Sequence, residues 1–200
     1  MVPYRLMYRL GVTPWERRAV AESWLPLFEG PLAMAPGRAL DVGCGSGADA
    51  VHLATRGWRV TGVEFVEKAL ARARRRAADE GIEVEWVSGD VAQLGRLGLE
   101  PGYDLLYDFG CIQGLPDPSR RGAAAGLDDL ARPGARLLLV AFRAGRRVLL
   151  PRGMDRGDLV ALLGDAWELE HVQSVVTAEM PRPVRRAEPT LYRLARRTAS

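Results

Sequence analysis

The sequence predicts a doubly wound α/β fold: a mostly parallel seven-stranded sheet finished by a C-terminal antiparallel hairpin. Three observations predict it. From residue 38 onward, short apolar runs alternate with stretches of helical periodicity. Runs such as Leu137-Leu138-Leu139-Val140 are apolar throughout, as strands buried on both faces require. The last third abandons the alternation and closes on two strand-like runs separated by proline-punctuated chain, which suits antiparallel neighbours.

Taken in order, residues 14–30 carry Trp15, Val20, Trp24, Leu27 and Phe28 at helical spacing behind Pro14, so a helix is expected there. Ala39-Leu40-Asp41-Val42 reads as the first strand, and a glycine-rich turn follows it. A helix from Ala48 to Arg56 is stopped by Gly57. A second strand, Arg59 to Val63, ends at Glu64. Val66, Ala69, Leu70, Ala73 and Ala77 then mark one face of a helix that Gly81 terminates. Strands three and four are expected near 82–87 and 103–109. A helix from Asp117-Pro118 to Ala131 leads through Pro133-Gly134 into strand five, 136–142. A short helix near 158–163 and strands near 169–176 and 190–195 complete the chain.

Two hundred residues with no linker-like stretch suggest a single domain over 1–200, with 1–36 as an N-terminal helical or lid segment. Formal net charge is +3, and Lys68 is the one lysine, so the basic character rests on arginine. Arg72/Arg74/Arg75/Arg76 and the arginines from 182 to 197 are read as solvated faces rather than a nucleic-acid stripe. Cys44 and Cys111 stand outside any C-x-x-C or Cys/His spacing, so no metal site is expected. No run approaches 18 apolar residues, and the start lacks a secretory apolar core. The expectation is a cytoplasmic protein without a membrane span.

The most informative segment is Asp41-Val42-Gly43-Cys44-Gly45-Ser46-Gly47, because it joins a strand to a helix start. Glycines there permit a sharp turn and close approach of a ligand, and the helix start offers free N–H groups to an anionic group. A plain tight turn is the bland alternative. Read as Gly43-x-Gly45-x-x-Ala48 with Glu64 about twenty residues on, the segment also fits the dinucleotide fingerprint. An NAD-dependent oxidoreductase is therefore a rival, although no catalytic dyad or substrate domain follows.

The company this turn keeps is more specific. Leu40 to Gly47, the acidic Glu64, Gly89-Asp90-Val91 and the Arg132-Pro133-Gly134 turn together resemble the class I S-adenosylmethionine (SAM) dependent methyltransferases. Leu10-Gly11-Val12-Thr13-Pro14-Trp15-Glu16 and Asp108-Phe109-Gly110-Cys111 resemble small bacterial members related to thiopurine and tellurite-resistance methyltransferases.

The resemblance implies that Gly43, Cys44, Gly45 and Gly47 face the methionine part of SAM, with Asp41 organising its amino group. It implies Glu64 on the ribose hydroxyls, Asp90 on the adenine amine, the Val91 N–H on a ring nitrogen, Phe65 over a base face, and Asp108 near the methionine ammonium. Each acid has a plainer reading: Asp41 and Asp90 bonding loop N–H groups, Glu64 capping the helix near Val66, Asp108 stabilising its own turn.

The methyl acceptor, a small molecule with an S, N or O nucleophile, should sit at the carboxyl ends of the first, fourth and fifth strands. Phe109, Cys111, Ile112, Gln113 and Arg143 fall there, with Trp15 as the lid residue. Alternatives stay open: Trp15 as a core anchor, Cys111 as a buried hydrophobe, Gln113 as a loop residue, Arg143 as a neutraliser of Asp108. No residue is assigned as catalytic, since SAM carries its own activation and a base is optional. The product would be S-adenosylhomocysteine. A non-catalytic SAM-binding module is a third reading.

Overall fold

The computed structural model describes residues 4–11, 13, 30–145, 151–175 and 182–198. The helix expected over 14–30, and Trp15 with it, lies outside the described residues. A helix not anticipated from the sequence, α1 (Tyr4–Leu10), precedes that stretch. Then come β1 (Arg38–Val42), α2 (Ala48–Ala54), β2 (Arg59–Glu64), α3 (Glu67–Asp79), β3 (Glu85–Ser88), β4 (Tyr103–Phe109), α4 (Asp117–Leu130) and β5 (Ala131–Ala141). The last third holds α5 (Arg156–Leu163), β6 (Trp167–Ser174), α6 (Arg182–Arg186) and β7 (Thr190–Arg196).

The strands form one seven-stranded sheet in the order β3-β2-β1-β4-β5-β7-β6. β7 alone runs against its neighbours, pairing antiparallel with both β5 and β6. This is the doubly wound sheet with a closing hairpin that the apolar pattern predicts. Differences are local. β3 is shorter than expected, because the Ile82 N–H turns back to the Ala77 carbonyl and closes α3. β5 begins earlier, at Ala131, which pairs with Tyr103 across an irregularity that absorbs the Pro133-Gly134 turn. α6 forms where only proline-rich chain was expected; Pro183 sits in its first turn, where the missing N–H costs no helical bond.

The strand period of two sorts the core into two layers. Leu40, Leu106, Leu137 and Leu139 point to one face and pack with Leu94, Leu127 and Leu159. Ala39, Leu105, Tyr107, Leu138 and Val140 point to the other and pack with Ala50, Leu53 and Trp58. Burying each of the larger side chains is worth about 1.5–3 kcal/mol relative to exposure. Successive β–α units wind outward from β1 in one direction and from β4 in the other, so the chain changes direction between β1 and β4. The carboxyl ends of those two strands flank this change of direction, the usual ligand position in such sheets. Among the described residues no helix is long and apolar enough to cross a membrane.

Candidate active site

The glycine turn leaves β1 at Val42 with Gly43, Gly45 and Gly47 all at positive φ (72°, 55° and 75°), a conformation that disfavours other residues. The Cys44 N–H donates to the Val63 carbonyl, tying the turn to the end of β2, and the Gly47 N–H donates to Cys44. Neighbouring protein atoms use the space the glycines leave. A Cβ on Gly43 would lie 2.5 Å from Cys111 Sγ, and one on Gly45 would lie 2.8 Å from Tyr8 Oη. The turn is thus clasped between the loop after β4 and helix α1.

Acidic residues end the strands around it. Asp41 on β1 and Glu64 on β2 are buried, and Asp108 on β4 is wholly so. The Glu64 carboxylate accepts from the Gly45 N–H (3.2 Å) through Oε2 and from the Val66 N–H (2.8 Å) through Oε1. It therefore does hold the chain entering α3, as the capping alternative has it, and it also reaches the glycine turn. Asp90, exposed after β3, accepts from the Ala92 N–H (2.9 Å) and caps the turn that starts at the buried Val91. Phe65 is partly exposed, and the Arg5 guanidinium lies 5.3 Å from its ring centroid.

Asp108 accepts from the Cys111 N–H (2.6 Å) and from the Ile112 N–H (3.1 Å), one bond to each carboxylate oxygen. That is the arrangement of the turn-stabilising alternative, and it occupies both oxygens. Burial pushes the Asp108 carboxyl up to about 7, against the opposing pull of the two N–H groups. Burial likewise raises the thiols of Cys44 and Cys111, so both stay protonated at neutral pH. For Cys111 the negative charges of Asp108, Glu64, Asp41 and Asp90 add to that rise.

The acceptor-side residues divide. Gln113 is buried, its Oε1 accepting from the Phe142 N–H (2.7 Å) at the end of β5. Phe109 packs with Phe142, Val184 and Ala187. Ile112 is fully buried in the main core, so its side chain serves packing. Arg143 is exposed and pairs with Glu188 (3.3 Å). Tyr8, an aromatic residue that the sequence reading places near the site, covers Gly45. Arg120 escaped sequence reasoning: it is buried and donates from Nε to the Leu115 carbonyl (3.0 Å) and from Nη2 to the Gln113 carbonyl. His52 bonds with Arg56 on α2, and His171 lies on the edge strand β6 beside Gln173.

Residues 39–134 match the family model described as a methyltransferase domain. The chain is 36% identical over 100 residues to the ubiquinone biosynthesis O-methyltransferase of Bordetella parapertussis, a stretch covering 48% of this chain and 39% of that protein. The chain thus spans about two fifths of that relative's length. Its fold is shared by the 1,6-didemethyltoxoflavin-N1-methyltransferase of Burkholderia thailandensis, solved with 1,6-didemethyltoxoflavin and S-adenosylhomocysteine. The TM-score is 0.76 at 22% identity, covering 98% of this chain and 86% of that one. TehB from Haemophilus influenzae gives a TM-score of 0.69 at 16% identity, covering 97% and 67%. Over residues 39–134 the chain is similar to methyltransferase domains, and its fold is shared by solved methyltransferases.

Proposed function

We propose that this protein transfers the methyl group of SAM to an S, N or O nucleophile of a small molecule, in the cytoplasm, with residues 1–36 closing over the site. One observation carries the reading: the buried carboxylates Asp41 and Glu64 lie at the ends of the adjacent strands β1 and β2, against the glycine turn, and Glu64 accepts from the Gly45 N–H. A field of carboxylates suits a cofactor bearing a sulfonium and an ammonium. It opposes the pyrophosphate of NAD, for which like charges at such a site are unfavourable. The dinucleotide alternative is therefore disfavoured by charge.

In this reading Glu64 uses its remaining lone pairs on the ribose hydroxyls while keeping its bonds to Gly45 and Val66. Asp90 accepts from the adenine amine, the Val91 N–H meets a ring nitrogen, and Phe65 covers one face of the base. Asp41 lies nearest the ammonium, and Asp108 shapes the loop that faces it. SAM supplies an activated methyl group as a sulfonium. The chain's part is to align an acceptor lone pair behind the S–CH₃ bond and to exclude water, and alignment alone accounts for much of the rate in such transfers. With both thiols protonated, neither cysteine serves as a base.

Thermal stabilisation by SAM and S-adenosylhomocysteine, and none by NAD, is the expected result; stabilisation by NAD instead would overturn the reading. Glu64→Ala and Asp90→Ala should each weaken SAM binding by about 1–3 kcal/mol in calorimetric titration. Parent-like affinity in both would displace the cofactor from these strand ends.

A further inference from the structure

Gln113 is 1% exposed, and its two ends are treated unequally. Its Oε1 accepts from the Phe142 N–H, which fixes the amide orientation, because only the oxygen end accepts. Its backbone carbonyl is gripped by the Arg120 guanidinium, and the preceding turn is held by the bonds from the Cys111 and Ile112 N–H groups to Asp108. The remaining end, Nε2, is buried and has no hydrogen-bond partner among the described residues. Leaving such a donor unpaired is costly. Here Asp108, Arg120 and Phe142 hold it in that state.

Its position is informative. Nε2 sits 2.7 Å from where a Cβ on Gly110 would be, and the next residue, Cys111, sits against Gly43 of the cofactor turn. Gly110, partly exposed and at φ 81°, is the thinnest cover that loop could offer. The donor thus lies against Gly110, the residue next to Cys111 and its contact with the glycine turn.

We propose that Gln113 Nε2 is a specificity-determining donor that reads a hydrogen-bond-accepting atom beside the nucleophile of the methyl acceptor, so that the substrate carries a carbonyl, carboxylate or similar lone-pair group there. This rests on the methyl-transfer reading and deepens it. A substrate with such an atom gains a partner for a donor already desolvated and fixed. One presenting only donors or a methyl group at that place leaves the amide unpaired, the kind of loss from which polar sites derive strong discrimination. Arg120 is a positioning residue in this scheme, acting through the Gln113 carbonyl.

The test uses the full chain with SAM and matched acceptors: 2-mercaptobenzoate against 2-methylbenzenethiol, salicylamide against 2-methylphenol, and 2-aminobenzoate against 2-methylaniline. S-adenosylhomocysteine release is the readout. The parent should favour the oxygen-bearing member of the reactive pair by ten-fold or more in kcat/KM. In Gln113→Leu the preference should fall below about three-fold, with SAM affinity kept within two-fold as the check on folding. Gln113→Glu retains the acceptor for Phe142 but loses the donor when ionised. Its kcat/KM for the oxygen-bearing member should drop at high pH and recover as the carboxyl regains a proton, a pH response that a purely structural role would not produce. Retained preference in Gln113→Leu, or a parent-like pH profile in Gln113→Glu, overturns the assignment to Gln113 alone. A parent that binds SAM yet methylates no member of any pair counts against the methyl-transfer reading and this inference together.

Discussion

The two ends of the sheet handle buried polarity in opposite ways. At the amino end, charge is neutralised and tied down: Asp104 accepts from the Arg38 N–H and pairs with Arg132, while the Arg38 guanidinium donates to the Pro101 and Glu100 carbonyls and lies 4.5 Å from the Tyr103 ring centroid. Those bonds hold the Asp104 carboxyl below its ordinary range, despite the opposing effect of its partial burial. At the carboxyl end Asp108 is more deeply buried, accepts only from backbone N–H groups, and is driven toward neutrality. One end spends its polar groups on itself. The other leaves a buried acid near neutrality and, among the described residues, a buried amide nitrogen without a partner.

Three measurements break or sharpen that contrast. The largest effect is expected at Asp108. In the folded chain its carboxyl keeps a proton to about pH 7, whereas in the unfolded chain it loses the proton near pH 4. Unfolding between those values releases a proton, so the stability this group contributes is full below about pH 4 and is lost as pH rises through about 7. The loss is on the order of 4 kcal/mol across that window. Asp108→Asn should abolish that slope. The difference in urea unfolding free energy between parent and variant, followed from pH 4 to 8, should tilt accordingly, and a flat difference would mean that Asp108 is not the buried acid described above.

Next is Asp104→Ala. Loss of the Arg38 and Arg132 contacts should lower unfolding free energy by about 1–3 kcal/mol while leaving SAM affinity within two-fold. A large loss of SAM binding would erase the distinction between the two ends. The smallest effect is expected at Arg143, whose pair with Glu188 is well exposed on both sides. Arg143→Ala should cost less than about 1 kcal/mol in chemical denaturation. A ten-fold rise in KM for an acceptor bearing a carboxylate would return Arg143 to the site.

The architecture was largely legible because its signals are local. β4 falls on the range its apolar run predicts, and the glycines of the cofactor turn sit in the left-handed conformations their position implies. Edges were less legible. β3 lost its first residues to a helix-closing bond from Ile82, and β5 gained residues across a proline that sequence reasoning takes as a break. In the site, the acids at strand ends could be found, but not what their oxygens hold. That Asp108 would accept from both Cys111 and Ile112 depends on how the next turn curls. The bond from Phe142 to Gln113 spans 29 positions, and Tyr8 reaches Gly45 across more than a sixth of the chain. Neither leaves a periodic trace.

The contact between Cys111 and Gly43 bears on how a methyltransferase built on this fold, as proposed above, could acquire a new substrate. Because the sulfur already fills the space above the glycine, a bulkier residue at 111 would press on the cofactor turn before it reshaped the acceptor wall. Diversification through that position is closed off. Under the proposed reading it falls to the Gln113 side of the loop, where exchange of one amide is expected to leave SAM affinity intact.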